Sequence, residues 1–356
     1  MKIIKNLILY FLIIIILFSL KYINNINYKH FLINNKKRIM KKILLFKIFK
    51  KTRKNINNIN NISTLFIKGI THFGNLFITI NNAIIYCELL NCRKIIIEYS
   101  NNIYINQSIF YQKNNFTIEP NQMFNYIGND NSVILDFYFL FFKGFRYFGN
   151  VNRLGIFKKQ LLNNLPKVVT NPNDLYLYIR GGDIFIKSYT YNIRGYSQPP
   201  LCFYEKILDY FKFNKVFIIS QDNLNPVIPK LLNKYSYIRI KKNKLKVDIS
   251  YLINSYNIVA GRSTFFSTSI KFNDKLKFLW EYDCSPLTQK YFHLHYSVYN
   301  FPFYCIVYKM NSSKNYRKFM HPWFNIPKQR KKMIQEKCKQ NFNIFRKNYN
   351  NFYLNI

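Results

Sequence analysis

DISYLINSYNIVAGRSTF, residues 248–265, holds the transition on which the reading of the fold turns. Ile249–Ser255 reads as a helix, Asn257–Gly261 as an apolar strand, and Ser263–Phe272 as a second helix entered through a tight Gly261-Arg262 turn. Outward from it the same alternation continues. Leu175–Ile179, Lys215–Ser220, Tyr237–Lys241 and Lys277–Glu281 read as strands, with helices at Leu201–Phe211 and Val227–Lys234. Strands alternating with helices imply an α/β fold with an open, doubly wound parallel sheet, whose ligand lies at the carboxyl ends of the strands.

A similar unit stands nearer the N-terminus. Thr64–Ile67 reads as a strand, Gly69–Asn75 as a turn, Leu76–Leu90 as a helix and Lys94–Tyr99 as a second strand. Residues 100–165 are less regular, and the polar stretch Pro166–Asp174 reads as a domain boundary. The expected organisation is a Rossmann-like domain over 62–168, a second over 169–290, and a basic helical extension over 291–356 that packs back on both.

The first residues belong to neither domain. Between Lys5 and Lys21 no charge occurs, and residues 1–23 read as a signal anchor, with residues 6–23 in the membrane. A cleaved signal peptide is the other reading, but no small-x-small site follows Leu20. Residues 24–61, rich in Asn, Lys and Ile, read as a stem or linker. The basic cluster from Lys36 to Lys54 favours a cytosolic C-terminal part by the positive-inside rule. Sequons at Asn61, Asn106, Asn115 and Asn311 suit a lumenal one, though a chain this rich in Asn yields such tripeptides by chance.

Lys and Arg total 54 against 15 Asp and Glu, a formal net charge of +39. That imbalance attracts anions: phosphates, nucleotide-sugars, acidic lipid surfaces or nucleic acid. The basic residues are spread along the chain without a reader motif, so no specific nucleic-acid partner is expected. The favoured residues Lys, Asn, Ile, Tyr and Phe share A/T-rich codons, which gives the basicity a genomic explanation. No Cys-x-x-Cys pair or His cluster has metal spacing. Of six cysteines, Cys87 and Cys92, five apart, read as buried free thiols or else as neighbours at a helix end, whereas Cys202, Cys284, Cys305 and Cys338 allow one or two bridges in a lumenal chain.

The chemistry-bearing residues fall at strand ends. After Ile179 come Arg180, Gly181, Gly182 and Asp183: a cation suited to a diphosphate, then glycines that admit a ligand to the backbone. After Ala260 come Gly261, Arg262, Ser263, Thr264 and Phe265, a turn into a helix N-terminus with hydroxyl donors. The bland alternatives are an Arg180–Asp183 salt bridge and an ordinary cap by Ser263 and Thr264.

YIRGGDIF (178–185), FIISQDN (217–223), DISYLINSYNIVAGRSTF (248–265) and HFGNLFITINNAIIYCELLNCRKIII (72–97) together resemble, in order and spacing, motifs of the α1,2-, α1,6- and protein O-fucosyltransferase superfamily. The resemblance covers roughly 65–285 in scattered blocks. It implies two facing Rossmann-like domains of the GT-B type and a GDP-fucose donor. Arg180 would hold the β-phosphate, Ser263 and Thr264 would face the pyrophosphate, and Asp248 would read the guanine edge. Gly74, Asn75, Gly181, Gly182, Asp222, Arg262 and Phe265 would complete the donor site. Tyr178 stands where the family commonly has His, and Gly181 where many members have a second Arg.

Asp183 and Glu205 are the candidates for the base that activates the acceptor hydroxyl. Tyr196, Gln198 and Pro199 form either the acceptor side or a rigid turn before a helix. There is no Asp-x-Asp triplet, so a metal-independent, inverting transfer to a glycan or glycoprotein is expected, in a single-pass protein of the endoplasmic reticulum or Golgi with a lumenal catalytic domain. The alternative is a catalytically inactive, membrane-tethered protein that binds anions or nucleotide-sugars.

Overall fold

The computed structural model describes residues 63–70, 73–99, 108–111, 115–121, 132–136, 154–186, 198–241, 243–283, 305–311, 314–338 and 343–347. The anchor, the stem and Tyr196 lie outside these residues.

Two sheets rich in parallel strands make an α/β fold. The first contains β1 (Thr64–Ile70), β2 (Lys94–Tyr99), β3 (Ile109–Tyr111), β4 (Phe116–Asn121) and β5 (Ser132–Asp136) in the order β3-β4-β2-β1-β5. Only β3 runs antiparallel, against β4. Helix α1 (Phe73–Leu90) crosses from β1 to β2, followed much later by a 3-10 turn at Leu154–Phe157 and α2 (Lys158–Asn163). Gly69 therefore lies inside β1, and Gly74 and Asn75 inside the first turn of α1, where the sequence suggested one continuous turn.

The second sheet contains β6 (Leu175–Tyr178), β7 (Val216–Ile219), β8 (Ile238–Lys241), β9 (Asn257–Val259), β10 (Phe278–Asp283), β11 (Cys305–Asn311) and β12 (Asn343–Lys347). Its order is β12-β11-β10-β9-β6-β7-β8, and only β12 is antiparallel. Every residue of β6 is buried, as a strand covered on both faces requires. Its connecting helices are α3 (Asp183–Ile186), α4 (Leu201–Tyr210), α5 (Val227–Lys234), α6 (Leu245–Asn254) and α7 (Thr264–Ser269), the last continued by a 3-10 turn to Phe272. Helices α8 (Lys314–Met320) and α9 (Pro327–Gln335) separate β11 from β12. The segment after residue 291 is thus not a helical extension alone. Its strands β11 and β12 extend the second sheet, with β11 taking the backbone hydrogen-bonding edge of β10.

Side-chain amides close the element ends. Asn225 Oδ1 accepts from the Val227 N–H at the start of α5, and Asn273 Nδ2 donates to the carbonyls of Leu252 and Ser255 at the end of α6. Asn257 Nδ2 donates to Pro172 and Asp174, which fastens the 166–174 boundary segment to β9.

The two halves share a core. Ile249, Ile253 and Phe272 join the cluster built on α1, β1 and β2, and Phe77 meets Phe157 and Phe272 edge-on at 5.8 and 5.1 Å. A Cβ at Gly74 would lie 2.4 Å from the Thr264 carbonyl carbon, so glycine permits the close approach of α1 to α7. Among the described residues only α1 is long and apolar enough to cross a membrane, and most of it is buried in this core.

Disulfides join Cys87 to Cys92 and Cys202 to Cys338. The first corrects the expectation of two free thiols: Asn91, at φ +55°, turns the chain so that the end of α1 faces the start of β2. The second ties the segment after α9 to α4.

Candidate functional site

From β6 the chain winds through β7 to β8 on one side and, from β9, through β10 to β11 on the other. The crossovers diverge between β6 and β9, and a doubly wound sheet opens its crevice at that point. Ile179-Arg180-Gly181-Gly182 leaves one strand, and Ala260-Gly261-Arg262-Ser263 leaves its neighbour. A Cβ at Gly261 would sit 2.4 Å from the Tyr178 carbonyl oxygen, so the two turns meet only with glycine there.

The Arg180 turn is held by the end of β7. Asp222 Oδ2 accepts from the Gly182 N–H at 2.7 Å, and its Oδ1 from the Leu224 N–H at 2.9 Å. Asn225 Nδ2 donates to the Arg180 carbonyl at 3.0 Å. Gly182 has φ +72°, a left-handed conformation for which glycine is suited. Asp222, expected to face a donor, therefore has both carboxylate oxygens on backbone N–H groups and shapes the turn instead.

Behind this turn stands the C-terminal segment. Trp323 Nε1 donates to the Ile184 carbonyl at 3.1 Å, and Arg330 Nη2 to that of Phe185 at 2.6 Å. Phe185 packs edge-on against Trp323. Helix α3 is thereby fixed directly after Arg180.

The phenol of Tyr178 is the common point of the cluster. Its ring stacks on Phe266 at 5.3 Å and lies 5.5 Å from Phe265, and its hydroxyl accepts from Ser263 Oγ at 3.0 Å. Burial pushes the phenol up in pKa. Arg180 and the Ser263 hydrogen bond pull it down, while Asp248 and Asp183 push it further up. Four residues expected at a ligand site from the sequence, Arg180, Asp183, Asp248 and Ser263, thus act on one buried hydroxyl.

Asp183 is exposed and pairs with Arg180, Oδ1 to Nη2 at 3.1 Å, so the salt-bridge alternative is present. Such a pair with one exposed partner is weak, and an incoming anion competes with it readily. Asp248 occupies the first turn of α6 and is only 7% exposed. Burial raises its pKa to about 6, against a hydrogen bond from Asn243 Nδ2 at 3.1 Å that lowers it.

Ser263 caps α7, its Oγ accepting from the Phe266 N–H at 3.0 Å. Thr264 Oγ1 donates to Asn75 Oδ1 at 2.9 Å, and Thr268 Oγ1 to the Gly74 carbonyl at 3.2 Å. Gly74, Asn75 and Thr264 therefore join α1 to α7. Phe265 packs between Phe73 and Tyr178, and Arg262 is buried beside the same turn.

The remaining expected residues lie elsewhere. Glu205 pairs with Lys234 at 2.8 Å, the last residue of a helix that runs away from the strand ends carrying Arg180. Gln198 is fully buried and its carbonyl accepts from the Tyr316 hydroxyl, while Pro199 is buried beside it just ahead of α4. Sequence reasoning passed over Tyr178, Asn225, Trp323 and Arg330 as functional supports. For Tyr178 a signal existed, since Tyr176 and Tyr178 alternate toward the face that α6 and α7 cover.

Among the described residues no group of three or more His, Cys, Asp or Glu side chains could hold a metal ion. At the carboxyl edge of the sheet the arrangement offers the Arg180 guanidinium to an anion, while the Tyr178 phenol and the Asp248 carboxyl are buried. Comparison of the chain with protein-family models, with curated proteins and with solved structures finds no match.

Proposed function

We propose that this chain is a GT-B-type glycosyltransferase that moves a sugar, fucose in the first instance, from a guanosine-diphosphate donor to a hydroxyl of a glycan or glycoprotein. The observation that carries the reading is the Arg180–Asp183 pair just beyond β6 beside the Ser263 turn just beyond β9, at the switch point of the second sheet. Arg180 holds the β-phosphate and offsets the charge that grows there as the donor bond breaks. Asp248 accepts hydrogen bonds from the N–H edge of guanine, and its burial makes such partners valuable.

The acceptor oxygen attacks the anomeric carbon from the face opposite the diphosphate. The carbon–oxygen bond to the β-phosphate breaks, GDP departs, and the acceptor proton passes to a base, for which exposed Asp183 is the candidate. The anomeric centre inverts, and Arg180 takes the place of a metal at the diphosphate. Two disulfides support a lumenal location with the anchor at 6–23, because such bonds persist in oxidising compartments.

A second reading, a tethered anion or nucleotide-sugar binder without catalysis, is favoured by one observation: the Ser263 and Thr264 hydroxyls are both spent inside the protein. Calorimetric titration with GDP, GDP-fucose, UDP and UDP-glucose, followed by a donor-hydrolysis assay, separates the two. Guanine preference with turnover supports the transferase. Guanine preference without turnover supports a nucleotide-sugar binder, equal weak binding of all four supports a generic anion binder, and no binding of any overturns both readings.

A further inference from the structure

We propose that Asn115 is an N-glycosylation site, carrying an oligosaccharide at the turn that leads into β4. Of the four sequons, Asn61 and Asn106 lie outside the described residues, and Asn311 ends β11 in register with Asp283. Asn115 is different: it is exposed, in a turn, with φ +55°. Asn is among the few side chains that tolerate that left-handed conformation, which lifts it out of the strand it precedes. Phe116 then points into the core, 1% exposed, and alternation sends Thr117 to the opposite face. There Thr117 stands in register with Phe110, which is 55% exposed. Asn115 is thus exposed, and Thr117 stands half-buried on the face away from the Phe116 side chain.

A second observation points to the same compartment. The Cys87–Cys92 bridge lies at the start of β2, the strand that pairs with β4, and disulfides form in the lumen in which N-glycans are added. In the transfer, Asn115 Nδ2 forms a bond to the anomeric carbon of a lipid-diphosphate-linked oligosaccharide. The bond from that carbon to phosphate breaks, the lipid diphosphate leaves, and the amide proton goes to a base of the transferring enzyme. No oxidant or reductant takes part.

The product suits its position. Among the described residues β3 is an edge of the first sheet, paired only with β4, and an open edge invites pairing with another chain. A hydrophilic chain rooted beside that edge and beside Phe110 blocks the approach. The inference is independent of the proposed reaction.

The test is translation of the full chain with endoplasmic-reticulum microsomes, followed by peptide N-glycosidase treatment and peptide mapping. Conversion of Asn115 to Asp by the enzyme is expected, with loss of one mobility step in Asn115→Gln and Thr117→Ala and its retention in Thr117→Ser. An unmodified Asn115 peptide from protein whose Cys202–Cys338 bridge has formed overturns the proposal, as does an unchanged glycan count in Asn115→Gln. Mapping of the natural sequence reads the site directly even where a variant fails to fold.

Discussion

The two sheets follow related strand plans, and their carboxyl edges do opposite things. In the first, β1 lies between β2 and β5 where the winding diverges, as β6 lies between β7 and β9 in the second. Beyond β1 the chain enters α1, whose first turn is consumed by packing: Phe73 is buried, Gly74 touches the Thr264 backbone, and Asn75 takes the Thr264 hydroxyl. Beyond β6 the chain instead presents a guanidinium, two glycines and an exposed carboxylate. Topology supplies a crevice at each switch point, but only side chains left over from packing give it chemistry.

Removing the charge at the second edge is the strongest way to break this contrast. Arg180→Ala is expected to weaken GDP binding by roughly 10–100-fold, the equivalent of about 1.5–3 kcal/mol for a hydrogen bond to a charged group. Unchanged calorimetric affinity would strip the edge of its assigned role.

Asp248 sharpens the contrast through pH. Its folded pKa of about 6 exceeds the ordinary aspartate value near 3.9, so the native state binds the proton more tightly. The ionised carboxyl costs stability fully above about pH 6, and that cost disappears as pH falls from about 6 to about 4. Asp248→Asn is therefore expected to stabilise the free protein at pH 7.5 by roughly 2–3 kcal/mol while weakening GDP binding. A lower melting temperature in the variant would show that the ionised carboxyl is well matched in the fold.

At the packed edge, Gly74→Ala is expected to cost about 1–3 kcal/mol by overpacking α1 against α7. Gly155→Ala, with nothing within 4 Å of the added carbon, is expected to change stability by less than about 0.5 kcal/mol. Denaturant midpoints of equal size in the two variants would refute the close approach. Glu205→Gln removes a half-exposed pair with Lys234 worth about 0–1 kcal/mol and should leave GDP affinity unchanged.

The regular part of the second sheet was legible because its strands and helices alternate with little between them. Val227–Lys234 has the boundaries read from sequence, and Leu201–Tyr210 and Ile238–Lys241 agree with that reading to within a residue. Strands outside that alternation were not legible. Ile109–Tyr111 is too short to carry a period, and Cys305–Asn311 and Asn343–Lys347 lie in the stretch read as a basic helical extension.

At the site, residue type and strand-end position singled out Arg180, Asp183 and Ser263, whereas Asp248 and Gly74 entered through the resemblance; Arg180 pairs with Asp183, and Ser263 bonds the Tyr178 hydroxyl. These routes could not separate a glycine needed for a ligand from one needed for a neighbouring helix, and Gly74 packs against the Thr264 backbone. Nor could they tell a carboxylate turned outward from one holding backbone N–H groups, as with Asp222. Both distinctions depend on what lies opposite, and that is fixed by residues distant in the chain.

The union of β10 with β11 and β12 has a consequence for biosynthesis. While the ribosome is still delivering Cys305–Lys347, β10 stands as a bare border that any sticky strand nearby can occupy. The clasp between Cys202 and Cys338 spans 136 residues and closes only after Cys338 has emerged, so the nascent polypeptide lacks about 5 kcal/mol of loop-closure stabilisation until then. Chains cut before Cys305 should therefore give aggregated product even though Tyr178 and the turns beside it are present.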